Sequence, residues 1–143
     1  MPWVVVFDTN VLLSAVISPL GNPFRCVALA RSGVVTSVTC RQILDEFVEK
    51  LQTKFFLTAD QSHTAADEVR AYSRIVEVPG ALRVISADPD DDVVLECAEV
   101  ASATHLITGD RHLLTLGNYN KTAILTPADF VRLVASQSEA RSN

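Results

Sequence analysis

Histidine, cysteine, glycine and long apolar runs are scarce in this chain. Its 143 residues include 3 His, 3 Cys, 5 Gly and one Trp, and aromatics make up 6%. His63, His105 and His112 stand in no H-x-H or H-E-x-x-H arrangement with one another or with cysteine, which argues against zinc. Cys26, Cys40 and Cys97 are odd in number, widely spaced and set in apolar helical patterns. They read as buried free thiols in a reducing compartment rather than as a disulfide framework. No G-x-G-x-x-G or P-loop follows a strand-like run, which argues against a nucleotide-binding Rossmann domain. No apolar stretch approaches the ~20 residues of a membrane helix. Asp8 breaks the first run and the segment from Val11 to Ile17 is short, so neither a signal peptide nor a membrane span is expected, and the expected location is the cytoplasm.

Positive charge is also in deficit. Twelve Lys and Arg stand against 17 Asp and Glu, for a net charge of −5, unlike a protein that coats nucleic acid by neutralising phosphates. A phosphate substrate is not excluded, because much of the acid sits in Asp8, Asp88, Asp90, Asp91, Asp92 and Asp110. A bound divalent ion would partly cancel that charge. The basic residues are scattered, so any substrate groove must be assembled in three dimensions.

What is abundant is apolar content, at 48%, enough for one domain-sized core. Residues 1–135 are expected to form a single domain and 136–143 a polar, frayed tail. Trp3 to Phe7 reads as a strand covered on both faces and Asn10 to Ile17 as a short helix. Asn22-Pro23 starts a helix that ends at Gly33. A strand from Val34 to Val38 leads to Thr39 and Gln42, which fit a capping box, followed by Ile43, Leu44, Phe47, Val48 and Leu51 on one helical face. A second capping box, Thr58 with Gln61, opens a polar helix to about Arg74 that reads as a protruding arm or an interface element. Ile75 to Val78 and Leu82 to Ser86 look extended. A helix from Val93 to Ala103, a strand from Thr104 to Thr108, a short helix from Arg111 to Leu116, a strand from Lys121 to Leu125 and a helix from Thr126-Pro127 to about Ala135 complete the chain. The alternation predicts a three-layer α/β/α sandwich with a mostly parallel central sheet.

The chemistry lies where the apolar runs end. Val4-Val5-Val6-Phe7 runs into Asp8-Thr9-Asn10, Val84-Ile85-Ser86 into Asp88-Pro89-Asp90-Asp91-Asp92, and His105-Leu106-Ile107-Thr108 into Gly109-Asp110. If the runs are parallel neighbours, their carboxyl ends share the edge where open α/β sheets bind ligands. Each acid alone could be a helix N-cap. A cap needs one carboxylate, however, and four of the five positions from 88 to 92 are Asp. Converging carboxylates repel, so a hard cation, Mg²⁺ or Mn²⁺, is the better joint reading. Phosphodiester hydrolysis is then the natural reaction.

These three motifs, in this order and spacing, resemble the PIN-domain family over Trp3 to about Val134. The likeness is greatest to the bacterial and archaeal PIN proteins that act as the toxin of a toxin-antitoxin pair. That resemblance implies an endoribonuclease dependent on Mg²⁺ or Mn²⁺, an RNA substrate cut to 5′-phosphate and 3′-hydroxyl ends, a homodimer and a partner antitoxin. It also implies a ligand set of Asp8, Glu46, Asp92 and Asp110, with Asp90 as companion or substitute for Asp92. On a helical wheel Asp45 and Glu46 are equivalent, so Glu46 follows from the resemblance. Thr9, Asn10 and Thr108 either orient carboxylates and waters or stabilise turns. Two rivals stand beside this reading. A haloacid-dehalogenase-type phosphatase would need a second Asp where Asn10 stands, and a catalytically inactive PIN-like module would bind RNA or protein without cutting.

Overall fold

The computed structural model describes residues 2–84 and 88–142, with side chains up to residue 138. Its centre is strand β1 (Val4–Phe7), where Val5, Val6 and Phe7 are buried, as a strand covered on both faces requires. β1 pairs in parallel with β2 (Thr36–Thr39) on one side and with β4 (His105–Ile107) on the other. β3 (Ser73–Ile75) extends the sheet beyond β2 and β6 (Thr122–Leu125) beyond β4, again in parallel. A two-residue strand, β5 (Asn118–Tyr119), closes the far edge antiparallel to β6, giving the order β3-β2-β1-β4-β6-β5. Helices α1 (Thr9–Ile17), α2 (Asn22–Arg31), α3 (Arg41–Thr53), α4 (Ala59–Tyr72), α5 (Pro89–Ala101), α6 (Arg111–Leu116) and α7 (Pro127–Ser142) complete a three-layer α/β/α domain. Among the described residues, no single helix is long and apolar enough to cross a membrane.

Helix α3 buries Ile43, Leu44, Phe47 and Leu51, the apolar stripe expected of it. Its N-terminus differs from expectation. Cys40 is the N-cap, without a side-chain cap, because Thr39 still belongs to β2 and its carbonyl accepts from the Val76 amide at 2.9 Å. Gln42 instead donates to the Val78 carbonyl at 2.8 Å. The Thr58 and Gln61 capping box does form, in both directions. Helix α4 is no free arm, since Ala66 and Val69 are buried and it packs on α3. All three cysteines are buried and free.

The expected strand from Leu82 to Ser86 is not a strand in its described part, residues 82–84, and Ile85 and Ser86 lie outside the described residues. Backbone groups in this stretch find side-chain partners instead of a ladder. Gly80 and Ala81 donate to the Glu96 carboxylate at 2.9 and 3.4 Å, and Val84 donates to Asp92 Oδ1 at 2.8 Å. Helix α7 continues through Ser142, past the end expected near Ala135. No Gly or Pro interrupts that segment.

Candidate metal centre

The strand order reverses direction at β1, because the chain passes from β1 to β2 on one side and later returns to β4 on the other. The carboxyl ends of β1 and β4 therefore flank the crevice where ligands bind in open parallel sheets. The register pairs Phe7 with Ile107, which sets Asp8 beside Thr108. The Thr108 hydroxyl donates to Asp8 Oδ2 at 2.7 Å and accepts from the Asp110 amide at 2.9 Å. One buried hydroxyl thus ties two acids to each other.

Asp8 occupies the N-cap position of α1, yet its side chain makes no capping hydrogen bond. The carboxylate is buried. Burial raises its pKa, the Thr108 hydrogen bond and the Thr9 backbone lower it, and Glu46 and Asp110 push it up again, leaving it raised. Asp110 does cap α6, through Oδ1 to the amides of His112 and Leu113 at 2.8 and 3.3 Å.

From α3, Glu46 reaches the same crevice. Its Oε2 accepts from the Thr9 hydroxyl at 3.3 Å and its Oε1 pairs with Lys50 Nζ at 2.9 Å. Asp45 is exposed and pairs with Arg41 on the outer face. The structure therefore separates two residues that a helical wheel leaves equivalent. Thr9 and Thr108 each hold a carboxylate, while Asn10 is exposed on the first turn of α1.

The run from 88 to 92 divides its labour. Asp88 is the N-cap of α5, with Oδ1 accepting from the Asp90 amide at 2.9 Å. Asp90 is exposed, and its pKa is raised by partial burial first and then by Glu46 and Asp88. Asp91 is 5% exposed, and its Oδ2 is buried without a hydrogen-bond partner. Ligand atoms of Asp91, Asp110 and His112 lie within 4.8 Å of one another. Burial first, then the charges of Asp110, Asp88 and Asp8 and a hydrogen bond that the protonated carboxyl shares with Asp110, push Asp91 up to about 7. Asp92 is turned differently, with Oδ1 anchoring Val84.

A PIN-domain family profile matches residues 4–112, three quarters of the chain. The chain belongs to the PIN-domain family. It is also similar to the uncharacterized protein MJ1680 of Methanocaldococcus jannaschii, 28% identical over 138 residues that cover 89% of this chain and 88% of the relative. PIN domains are nuclease-type folds that usually bind a divalent cation, and membership sets aside the phosphatase and Rossmann alternatives.

Does this PIN domain suit such a cation? Its donors are carboxylate oxygens with one exposed imidazole, the ligand type of Mg²⁺ and Mn²⁺ rather than of zinc. The orphaned Asp91 Oδ2 is a buried acceptor that lacks a positive partner, which normally costs ~1–3 kcal/mol, and a cation would satisfy it. The residues fit. The sequence expectation names Asp92 and does not name Asp91 or His112, the two residues whose ligand atoms lie near those of Asp110 in the structure. Asp91 lies in line with Val94, Leu95 and Ala98 on α5 and Asp92 with Leu95 and Glu96, all of them buried.

Proposed function

We propose that the protein is a metal-dependent endoribonuclease whose cation is held by Asp8, Asp91 and Asp110. Glu46 completes the set, Asp90 is a companion at the rim, and the role expected of Asp92 passes to Asp91. The observation that carries this reading is the buried, unpartnered Asp91 Oδ2 beside Asp110 and His112. A bound Mg²⁺ or Mn²⁺ supplies Lewis acidity and a lowered water pKa for in-line attack on the scissile phosphorus. The chain's own part is to hold the acids in place. Thr108 fixes Asp8 and the Asp110 backbone, Thr9 fixes Glu46, and the Asp92 and Glu96 carboxylates pin the segment from 80 to 84 that precedes α5.

The RNA substrate, the toxin role, the antitoxin and the homodimer belong to this proposal through the resemblance. An apolar groove of about 300 Å³ between α1, α2 and α4, lined by Leu12, Val16, Phe24, Leu57 and Tyr72, is a surface that a protein partner would cover. Sedimentation at micromolar concentration tests the dimer, and a strict monomer refutes it.

The deciding experiment is cleavage of a mixed single-stranded and structured RNA pool with Mg²⁺, Mn²⁺ or EDTA, alongside Asp8→Asn. Metal-dependent cutting by the wild type, lost in a variant that melts no lower, is the expected result. A folded, cation-binding wild type that cuts nothing would favour the inactive binding module.

A further inference from the structure

Among the described Lys and Arg residues, Lys50 is the one whose ion pair is with a carboxylate of the candidate site. The other pairs join exposed partners on outer helix faces. Lys50 stands one helical turn beyond Glu46 on α3, so its stem runs alongside that carboxylate, and both side chains are mostly shielded, at 32% and 22% exposure. Glu46, Asp90 and Asp8 all act to keep its ammonium charged, Glu46 most strongly through the hydrogen bond.

Charge makes this position consequential. Asp8, Glu46, Asp90, Asp91 and Asp110 share the crevice, and a single divalent cation neutralises only part of their charge. A polyanion approaching a chain of net charge −5 meets repulsion unless a local cation faces it. An ammonium and a divalent cation cannot both sit on Glu46 without repelling each other. The Lys stem has four flexible carbons and can yield.

We propose that Lys50 is the phosphate-binding residue of this site, holding Glu46 Oε1 until a divalent cation takes that carboxylate and then meeting the phosphate of the RNA. The assignment rests on the nuclease reading above. It gives opposite signs for two binding events. Removing the ammonium relieves competition for Glu46, so the cation gains. It removes a phosphate contact, so RNA loses.

The test compares wild type, Lys50→Met and Lys50→Arg in two assays. Mn²⁺ alone is titrated by calorimetry without RNA, and KM and kcat are measured on an RNA oligonucleotide that the wild type cuts, over a series of salt concentrations. Lys50→Met is expected to bind Mn²⁺ at least as tightly as wild type and to raise KM about tenfold, the scale of a lost charge-assisted hydrogen bond. The salt dependence of log KM should fall by about 0.7, one phosphate contact on a single strand, and Lys50→Arg should recover most of KM. Weakened Mn²⁺ binding, or a lower kcat at unchanged KM and salt slope, would make Lys50 only a support for Glu46 and overturn the proposal. A wild type that neither binds Mn²⁺ nor cuts RNA fails the nuclease reading itself, and the Lys50 assignment goes with it.

Discussion

The Thr108 hydroxyl donates to Asp8 Oδ2 at 2.7 Å across adjacent strands, joining residues 100 positions apart in sequence. Because the same oxygen accepts from the Asp110 amide, Thr108 sets the separation of two acids at the switch point of the sheet. Thr108→Val keeps the shape and deletes both bonds. It should cost about 1–3 kcal/mol of stability, the usual penalty for stranded buried polar groups. Cation affinity should fall about tenfold, at the lower end of what supporting hydrogen bonds to metal ligands contribute. Denaturant melts and Mn²⁺ calorimetry measure the two effects, and Thr108→Ser should restore both. Unchanged Mn²⁺ affinity in the valine variant would remove Thr108 from the site.

Asp91 and Asp92 are neighbours with opposite expected phenotypes. Asp91→Asn removes a buried charge with an unpartnered oxygen, so the metal-free protein should melt higher at about pH 8 while Mn²⁺ no longer stabilises it. Asp92→Ala removes the acceptor of the Val84 amide. It should lower stability by about 1–2 kcal/mol yet keep the Mn²⁺-dependent rise in melting temperature. Thermal melts with EDTA and with Mn²⁺ distinguish them. If Asp92→Ala alone lost the response to Mn²⁺, the ligand assignment would revert to Asp92.

That pair also marks how far the sequence could be read. Asp8 was legible because a continuous Val-Val-Val-Phe run reads as a buried strand or a helix fragment, and the acid after it ends the run where α1 begins. The α/β/α architecture followed from the alternation of such runs. The order of the strands did not, since pairing β1 with β4 rather than with β3 depends on contacts between distant segments. Residues 82–84 carry strand-like side chains, but membership of a sheet needs a partner, and two α5 carboxylates claimed their neighbourhood's amides first. Between Asp91 and Asp92 lies one step of about 100° around a helix. Both are buried, at 5% and 3% exposure, so burial does not choose between them; the packed rotation of α5 sets Asp91 beside Asp110 and Asp92 against the Val84 amide.

Helix α4 offers a control, since it carries none of the candidate ligands. Thr58→Ala deletes a capping box that is complete in both directions and should cost about 1 kcal/mol, or about 2–5 °C in a domain of this size. RNA cleavage below the melting range should not change. A large loss of activity at unchanged stability would mean that α4 communicates with the site through α3, on which it packs and which carries Glu46.

The pH dependence of stability follows from Asp91, held up at about 7 first by burial and then by Asp110, Asp88 and Asp8, with Asp8 raised in the same direction by its burial. In the unfolded chain an aspartate loses its proton near pH 4, roughly its reference value. Between those limits the metal-free folded state binds more protons than the unfolded state, so stability from Asp91 is fully present below about pH 4 and is lost as pH rises through about 7. Ordinary carboxylates give the opposite slope, and the difference between wild type and Asp91→Asn isolates the effect. In EDTA that difference should grow in favour of the variant from about pH 5 to 8. Saturating Mn²⁺ should reverse it, because a cation binds only the deprotonated acid, and Mn²⁺ affinity should rise with pH and level off above about 7. A wild type and Asp91→Asn pair whose metal-free melting curves stay parallel across that range would show that the proton, and the orphaned oxygen with it, is not where the fold of α5 puts it.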